Sequence, residues 1–218
     1  MNIPIESIRH RIYAFLDPAS GKKQKGQVVQ RARARSAIVV IAVDSLFRIF
    51  VLHVWADRVS PSAIRSKVLE INRAYRPRLF GIESSAQQYL FVDLVGQEAR
   101  RLGQRLNLIP VDQPTTMLKD DRIRNTIEPL LTEGRLFLQQ DQIELQQEIE
   151  GFPTARTKDI IDALASAVNL APKPKPRSQA RKEIQDLASY LRSQGLPPSY
   201  IEERISEIVA KESLVSSY

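Results

Sequence analysis

Short apolar stretches alternate with amphipathic ones along the chain, and their order predicts the succession of strands and helices. The first three apolar stretches each predict a strand, and they are Ile12–Leu16, Ala37–Val43 and Arg48–Trp55. The second and third of these strands are expected to form a hairpin. A helix follows, because Ser60 is a suitable N-cap, Pro61 suits the first helical turn, and Pro77 prevents the helix from continuing.

The next part of the chain alternates strand and helix. Apolar runs predict three more strands, at Arg78–Ile82, Leu106–Val111 and Arg135–Leu138. Amphipathic runs predict further helices, at Ala86–Leu102, at Thr116–Thr132 and from about Thr157, with small elements before the last. Antiparallel strands followed by parallel crossovers indicate an α/β fold, in which helices flank both faces of a mixed sheet.

The C-terminal part is set off by a change in composition. Proline alternates with basic residues from 172 to 177, which is typical of a stiff extended linker. Two amphipathic helices are predicted after it, over 178–193 and 199–213, and their apolar positions are Ile184, Leu187, Ala188, Leu191, Ile201, Ile205, Ile208 and Val209. The sequence thus predicts a main domain over 1–171, a Pro/Lys linker over 172–177 and a helical hairpin over 178–218.

Composition narrows the chemistry that the chain can perform. The 218 residues are 43% hydrophobic, which suits one domain with a substantial core. Cysteine is absent, so disulfides, thiolate metal sites and cysteine nucleophiles are excluded. The two histidines, His10 and His53, lie far apart in sequence, which argues against a zinc site rich in imidazole. No apolar run approaches the ~20 residues that span a bilayer.

The net charge of +7 permits a polyanionic partner, and the positive charge is unevenly placed. The segment 21–35 contains six basic residues and no acidic one: Lys22, Lys23, Lys25, Arg31, Arg33 and Arg35. One interpretation is a solvated loop. The other is a basic segment that lies along DNA phosphates, where each contact releases counterions.

Acidic residues fall at the ends of three predicted elements. Asp17 ends the first strand, Glu83 ends the fourth, and Asp159 begins the last core helix with Asp162 one turn further on. If the first and fourth strands are parallel neighbours, Asp17 and Glu83 project from the same edge of the sheet. No lysine is assigned to neutralise these carboxylates, so we expect a cation between them, and oxygen ligands suit Mg²⁺ or Mn²⁺.

Each acid also has a local explanation that involves no metal. Asp17 precedes Pro18 and could begin a turn. Asp159 and Asp162 suit the first turn of a helix for which Thr157 would be the cap. Glu83 has no obvious local partner, which makes it the least easily explained of the four.

Taken together, these residues and their spacing resemble the nuclease domain of tailed-phage large terminase subunits. The similarity covers about Ile12 to Leu170 and is carried by the segments Leu16–Ala19, Phe80–Gln87 and Thr157–Ala165. The segments Lys119–Ile123 and Glu133–Phe137 are similar to two consecutive sequence motifs of that family, K-x-x-R-I and G-R-I-x-F. Lys158 departs from the pattern, because many relatives carry an acid or histidine there.

The resemblance implies an RNase H-like fold and a metal-dependent endonuclease that cuts double-stranded concatemeric viral DNA during genome packaging. It places the catalytic, metal-binding acids at Asp17, Glu83 and Asp159, with Asp162 as a fourth candidate ligand. It also implies two Mg²⁺ or Mn²⁺ ions that orient the attacking water. Double-stranded DNA, a portal and a small terminase subunit are the implied partners, and the host cytoplasm is the implied location.

A complete large terminase also contains an ATPase, and this chain has no phosphate-binding loop. Such a loop needs a glycine five positions before its Gly-Lys pair and Ser or Thr after it. Leu16 and Lys23 occupy those positions around Gly21 and Lys22. We therefore expect this chain to be the nuclease domain of a longer protein that also contains an ATPase domain. Residues Met1–His10 would then belong to the linker between the two domains.

Two other functions fit the sequence. One is a different RNase H-like nuclease, such as a junction resolvase, which would select branched DNA. The other is a non-catalytic module that binds DNA or docks to a motor, in which the acids are structural.

Overall fold

The structure of the chain is a computed structural model that describes residues 10–19, 35–83, 86–112, 116–173 and 177–206. The described residues fall into two compact units. The larger unit contains those within Arg11–Val43 and Arg48–Ala171, and the smaller contains Asp44–Phe47 and those from Pro172 onward. The predicted ends of the main domain at residue 171 and of the linker at residue 177 stay predictions.

The larger unit is built on one six-stranded sheet. The strands are β1 (His10–Asp17), β2 (Ser36–Asp44), β3 (Ile49–Asp57), β4 (Leu79–Glu83), β5 (Leu108–Val111) and β6 (Leu136–Phe137). Their order across the sheet is β5-β4-β1-β2-β3-β6, in which β2 and β3 are antiparallel while the β1–β4, β4–β5 and β3–β6 pairs are parallel. This mixed sheet flanked by helices confirms the predicted α/β class.

The helices follow the predicted order, with one addition. They are α1 (Pro61–Tyr75), α2 (Ala86–Arg101), α3 (Lys119–Thr132), α4 (Ile143–Glu150), α5 (Asp159–Leu170) and α6 (Arg177–Ser193), and residues 198–206 are also helical. The predicted start of α1 is confirmed, because the Ser60 hydroxyl accepts a hydrogen bond from the Ala63 amide. Helix α4 is the addition that the hydrophobic pattern did not locate.

Strand alternation gives the sheet two different apolar faces. One face packs against α1 and α2, and its core contains Ala14, Leu16, Ile38, Val40, Phe80, Ile82, Ile64, Val68, Leu69, Ile71, Val95 and Ala99. Tyr13 and Phe15 alternate with Ala14 and Leu16, so they belong to the opposite face, as does Gly81 between Phe80 and Ile82.

Helix α5 approaches that second face closely at Gly81. A Cβ atom added to Gly81 would lie 2.8 Å from Leu170 Cδ1 of α5 and 2.7 Å from Phe15 Cδ2. Only a glycine leaves this space open. Asp17 and Glu83 continue the alternation of Phe15 and Gly81, so both acids belong to the face that α5 covers.

The two outer strands of the sheet are short. On one side, β6 pairs with β3 only at Ile49 and Phe50, and the next two β3 carbonyls accept hydrogen bonds from side-chain amides. Gln142 Nε2 donates to the Val51 carbonyl at 3.0 Å, and Gln139 Nε2 donates to the Leu52 carbonyl at 3.4 Å. On the other side, β5 contains Pro110, which has no amide hydrogen to offer.

The smaller unit contains helix α6 and the helical residues 198–206, separated by Gly195 with a φ of 72°. Ala188 and Ile201, two of the predicted apolar positions, are buried. Residues 207–213 of the second predicted helix lie outside the described residues. Within the part of the chain that the structure describes, no helix is both long and apolar enough to cross a bilayer.

Candidate active site at the carboxyl edge of the sheet

Strands β1 and β4 bring Asp17 and Glu83 together. The two strands are parallel neighbours and pair Phe15 with Gly81 and Leu16 with Ile82, so the next residue on each is an acid. The first and fourth strands are thus parallel neighbours, which is the condition under which the sequence places these two acids at the same edge. Both acids lie at the carboxyl ends of their strands, the edge at which α/β sheets commonly carry their active sites.

Burial and neighbouring acids make Asp17 a strongly perturbed carboxyl group. Its side chain is 13% exposed. Burial is the main reason that the pKa of Asp17 rises from 3.8 to about 8, and the charges of Asp162 and Glu83 and a hydrogen bond with Glu83 add to the rise. Lys119 acts in the opposite direction. At neutral pH the Asp17 carboxyl group therefore holds a proton.

Helix α5 supplies the other two acids from its first turn, Asp159 and Asp162. The helix begins at Asp159 without a side-chain cap from its own N-terminal segment, so Thr157 is not the cap that the sequence suggested. Instead, the Glu148 carboxylate of α4 accepts hydrogen bonds from the amides of Ile160 and Ile161, both at 2.9 Å. Glu148 thus sets where α5 starts and so helps to position both acids.

Lys119 stands among these carboxylates. Its ammonium lies 2.5 Å from Asp162 Oδ2 and 3.9 Å from Asp17 Oδ2. Burial alone would lower the pKa of Lys119, but the charges of Asp162, Asp17 and Asp159 outweigh that effect and raise it. The expectation that no lysine neutralises these acids is therefore wrong, because the first residue of α3 reaches across to β1 and α5.

Arg122, one turn further along α3, completes the environment of Asp162. Its guanidinium forms an ion pair with Asp162 Oδ1 and donates to the Ser166 hydroxyl at 2.8 Å. Arg122 and Asp162 are both buried, at 8% and 4% exposure. Each Asp162 oxygen therefore has a cationic partner, although the sequence suggested this residue as a fourth metal ligand.

Asp120 of the K-x-x-R-I segment makes a further contact near the start of α5. Lys158, which departs from the family pattern, places its ammonium 2.6 and 2.8 Å from the two carboxylate oxygens of Asp120. Lys119, Asp120 and Arg122 thus all hold the start of α5 in place. The sequence identified this segment as a motif, but the hydrophobic pattern carried no sign of which residues it would contact.

Arg35 belongs to the same region. Its guanidinium lies 2.7 Å from Glu144 Oε2, 3.3 Å from Glu148 Oε1 and 3.6 Å from Asp159 Oδ2, and its side chain is 16% exposed. The predicted DNA contact of Arg35 stays a prediction, and the structure adds a role in joining α4 to α5. The other five predicted DNA-binding residues, Lys22, Lys23, Lys25, Arg31 and Arg33, lie outside the described residues.

The donor set suits a hard divalent cation, although a ready-made site is absent. Over the described ranges, no three Asp, Glu or His side chains are arranged so that they could hold a metal ion. Asp17 nevertheless holds a proton at a largely buried position beside Glu83, which is where added positive charge would be most favourable. Asp159, at 26% side-chain exposure, adds an accessible oxygen donor, whereas Asp162 is held by Lys119 and Arg122.

Comparison with known proteins gives similarity in fold only. Neither the protein-family models nor the curated proteins searched match the sequence. Among solved structures, RuvC of T. thermophilus in complex with a Holliday junction substrate is 15% identical over 73% of this chain and 91% of that chain, with a TM-score of 0.41. The P22 large terminase nuclease domain is 12% identical over 75% and 87%, with a TM-score of 0.46.

The yeast mitochondrial Holliday junction resolvase is a third similar structure, 10% identical over 62% of this chain and 72% of that chain, with a TM-score of 0.38. At this level of identity the similarity does not extend to function, which has to be argued from the residues of the site.

Proposed function

We propose that this chain is a divalent-metal-dependent endonuclease that hydrolyses phosphodiester bonds of double-stranded DNA. The observation that supports it best is the placement of two neighbouring acids, Asp17 and Glu83, at the ends of adjacent parallel strands beneath the first turn of α5, with the pKa of Asp17 raised by burial. Partly buried acids gathered in this way are a costly arrangement for a purely structural element.

The roles follow from the environment of each residue. Asp17, Glu83 and Asp159 would hold Mg²⁺ or Mn²⁺, and we propose two ions. When bound, such ions stabilise negative charge on a reacting phosphate. Asp17 has to release its proton before it can act as a ligand, and the Lys119 ammonium favours that release. Arg122 fixes the position of Asp162, and through it the orientation of α5.

We also propose a role in viral genome packaging, which is supported by the similarity of the sequence motifs to those of terminase nuclease domains. In that role the chain would cut concatemeric DNA in the host cytoplasm. It would act with an ATPase domain of the same full-length protein, a portal and a small terminase subunit. The DNA would lie along the basic segment Lys22, Lys23, Lys25, Arg31, Arg33 and Arg35.

The second candidate is a non-catalytic module that binds DNA or docks to a motor. One observation favours it. Lys119 already contacts Asp17 and Asp162, so a protein cation balances part of the acidic charge. In this interpretation the acids and Lys119 form a permanent ion-pair network, and added metal has no effect on DNA.

Plasmid nicking with and without Mg²⁺ or Mn²⁺ tests the proposal. We expect metal-dependent cleavage in the native chain, and its loss in each of Asp17→Asn, Glu83→Gln and Asp159→Asn. The metal-free melting temperature of the Asp17 and Glu83 variants should hold or rise, because an amide stays neutral among the other acids without taking up a proton. That of Asp159→Asn should fall only slightly, because the variant loses the ion pair with Arg35. Asp93→Asn on the exposed surface of α2 is the matched control and should cleave normally.

The outcome separates the candidate functions. DNA binding without cleavage in any divalent metal would favour the non-catalytic module. Cleavage rates on linear duplex and on four-way junction DNA distinguish a terminase-type nuclease from a junction resolvase. A strong preference for the junction would indicate a resolvase. We expect cleavage of linear duplex with little sequence preference, since the basic residues suit phosphates rather than base edges.

A further inference from the structure

A second charged site lies at the opposite end of the sheet from the acids. It is a cavity of about 880 Å³ at the amino ends of β4 and β5, between the C-terminal ends of α1 and α2. Five arginines line it, and we call it the arginine pocket: Arg73, Arg76, Arg78, Arg100 and Arg105. All five side chains are exposed, and its described lining contains no acidic residue.

The nearby acids are engaged elsewhere. Glu70 lies three residues before Arg73 on α1, but its carboxylate contacts Lys67 at 2.8 Å. Glu98 lies close to Arg100 on α2, but it contacts Arg101 at 2.7 Å. Among the described residues, none of the five guanidinium groups of the pocket forms a salt bridge. Such a concentration of like charge is unfavourable unless an anion is present.

The loops that carry these arginines are held in fixed positions. The buried Asn72 side chain donates to the Gln104 side-chain oxygen and to the Arg105 carbonyl, both at 3.0 Å. Asn107 Nδ2 donates to the Arg78 carbonyl at 3.0 Å. The segments that precede β4 and β5 are thereby joined across the pocket, so their arginines are presented together rather than on independent loops.

Helix dipoles explain only part of this arrangement. Arg73 and Arg100 lie in the last turns of α1 and α2, where basic residues are favoured. Arg78 and Arg105 lie just before strands, where no such preference applies. Their presence in the same cavity therefore calls for an anionic ligand.

We infer that the arginine pocket binds the phosphate backbone of nucleic acid at a site separate from the acids. The inference rests on the proposed function for its choice of ligand. Guanidinium groups match phosphate oxygens in pairs. The described lining has no aromatic side chain that could anchor a protein partner, and its apolar members are Pro77 and Leu106.

The distance between the two sites defines what the pocket can do. The Arg78 amide donates to the Ile12 carbonyl, and Asp17 lies five positions after Ile12 along β1. That is about 17 Å of strand. The phosphates in the pocket are consequently not the ones cleaved, and the pocket would hold a second stretch of the nucleic acid while the acid edge acts on the first.

Duplex DNA binding without divalent metal, measured by fluorescence anisotropy over a range of salt concentrations, tests this inference. We expect the triple variant Arg73→Gln, Arg78→Gln and Arg105→Gln to bind on the order of tenfold more weakly. The slope of log affinity against log salt should fall by about 0.9 for each phosphate that the variant no longer neutralises. The matched control removes three positive charges elsewhere, by Lys173→Gln, Arg192→Gln and Arg204→Gln, and should weaken binding far less.

Equal reductions in affinity in the triple variant and the control would overturn the inference, because net charge alone would then explain them. Unchanged DNA affinity together with loss of binding to polyglutamate would also overturn it, and would indicate an acidic protein partner. The proposed nuclease activity is measured separately, by cleavage in Mn²⁺. The two results are independent. The binding measurements can support the arginine pocket even if the chain does not cleave DNA, and they can overturn it even if the chain does.

Discussion

The environment of Asp17 makes the folded chain bind a proton more tightly than the unfolded chain does. The pKa of Asp17 is about 8 in the folded state and near its ordinary value of 3.8 in the unfolded state. Between these values the folded chain carries the extra proton. The free energy of unfolding therefore falls as the pH rises through this window.

We accordingly predict that the metal-free chain loses stability between about pH 5 and pH 8. The Asp17→Asn variant should be less sensitive to pH, because its side chain is neutral throughout. Urea unfolding at several pH values measures both. Glu148, whose pKa burial also raises, contributes to the slope in both chains, so the difference between them isolates Asp17. Identical slopes would contradict the assigned environment.

Asp162 and Asp159 lie one turn apart, yet they should respond differently to substitution. Asp162→Ala leaves the buried guanidinium of Arg122 without its carboxylate, and we expect a decrease of about 3 kcal/mol in the free energy of unfolding. Asp159→Ala at a more exposed position should cost under about 1 kcal/mol. Denaturant unfolding without metal compares them. Equal costs would mean that Asp162 is not primarily structural.

At the scale of elements, the sequence predicted the order of strands and helices because each has a periodic apolar face that is visible locally. Helix α4 was missed since only Leu145 and Glu148 of its eight residues are buried. The start of α5 was misassigned to Thr157 because its actual cap, Glu148, comes from another helix. A carboxylate supplied by tertiary contact has no signature in the local sequence.

The contact between α5 and the sheet can be tested with two glycines. Gly81→Ala places a methyl group within 3 Å of Phe15 and Leu170, and we predict a decrease of about 1–3 kcal/mol in stability. The same substitution at Gly96 within α2 meets only the flexible end of Arg100 at 3.7 Å. It should increase stability by about 0.5–1 kcal/mol, because alanine favours a helix.

Thermal and urea unfolding of the two glycine variants give the comparison directly. Cleavage should fall with Gly81→Ala, since displacement of α5 also moves Asp159 away from Asp17. A Gly81→Ala variant as stable and active as the native chain would show that α5 can shift without consequence for the site.

For the molecule as a whole, the order of elements indicated that Asp17 and Glu83 could lie side by side but not how their charge is balanced. Asp17 and Glu83 could be paired because strand order follows from the pattern of elements. Lys119 and Arg122 could not be placed near Asp162, because a helix surface residue can face any of several neighbours. The arginine pocket was missed for the same reason, as its residues are distributed from 73 to 105 without a local cluster like that of 21–35.

The basic segment 21–35 and the arginine pocket should make separable contributions to DNA binding. We predict that replacing Lys22, Lys23, Lys25, Arg31 and Arg33 by Gln weakens binding and reduces its salt dependence by about 0.9 for each phosphate left without a cationic partner. Arg35 is retained, because it joins α4 to α5. Anisotropy titrations of this variant, the pocket variant and their combination measure both contributions. Unchanged affinity would identify the segment as a solvated loop.

The short outer strands described above bear on how many copies of the chain can work side by side. Proteins that gather along a polyanion meet each other at high local concentration, where an open strand edge would recruit a second chain into the sheet. Pro110 withholds an amide on one edge, and Gln139 and Gln142 occupy carbonyls on the other. If the chain gathers on DNA as proposed, these outer strands would limit edge-to-edge aggregation at these positions.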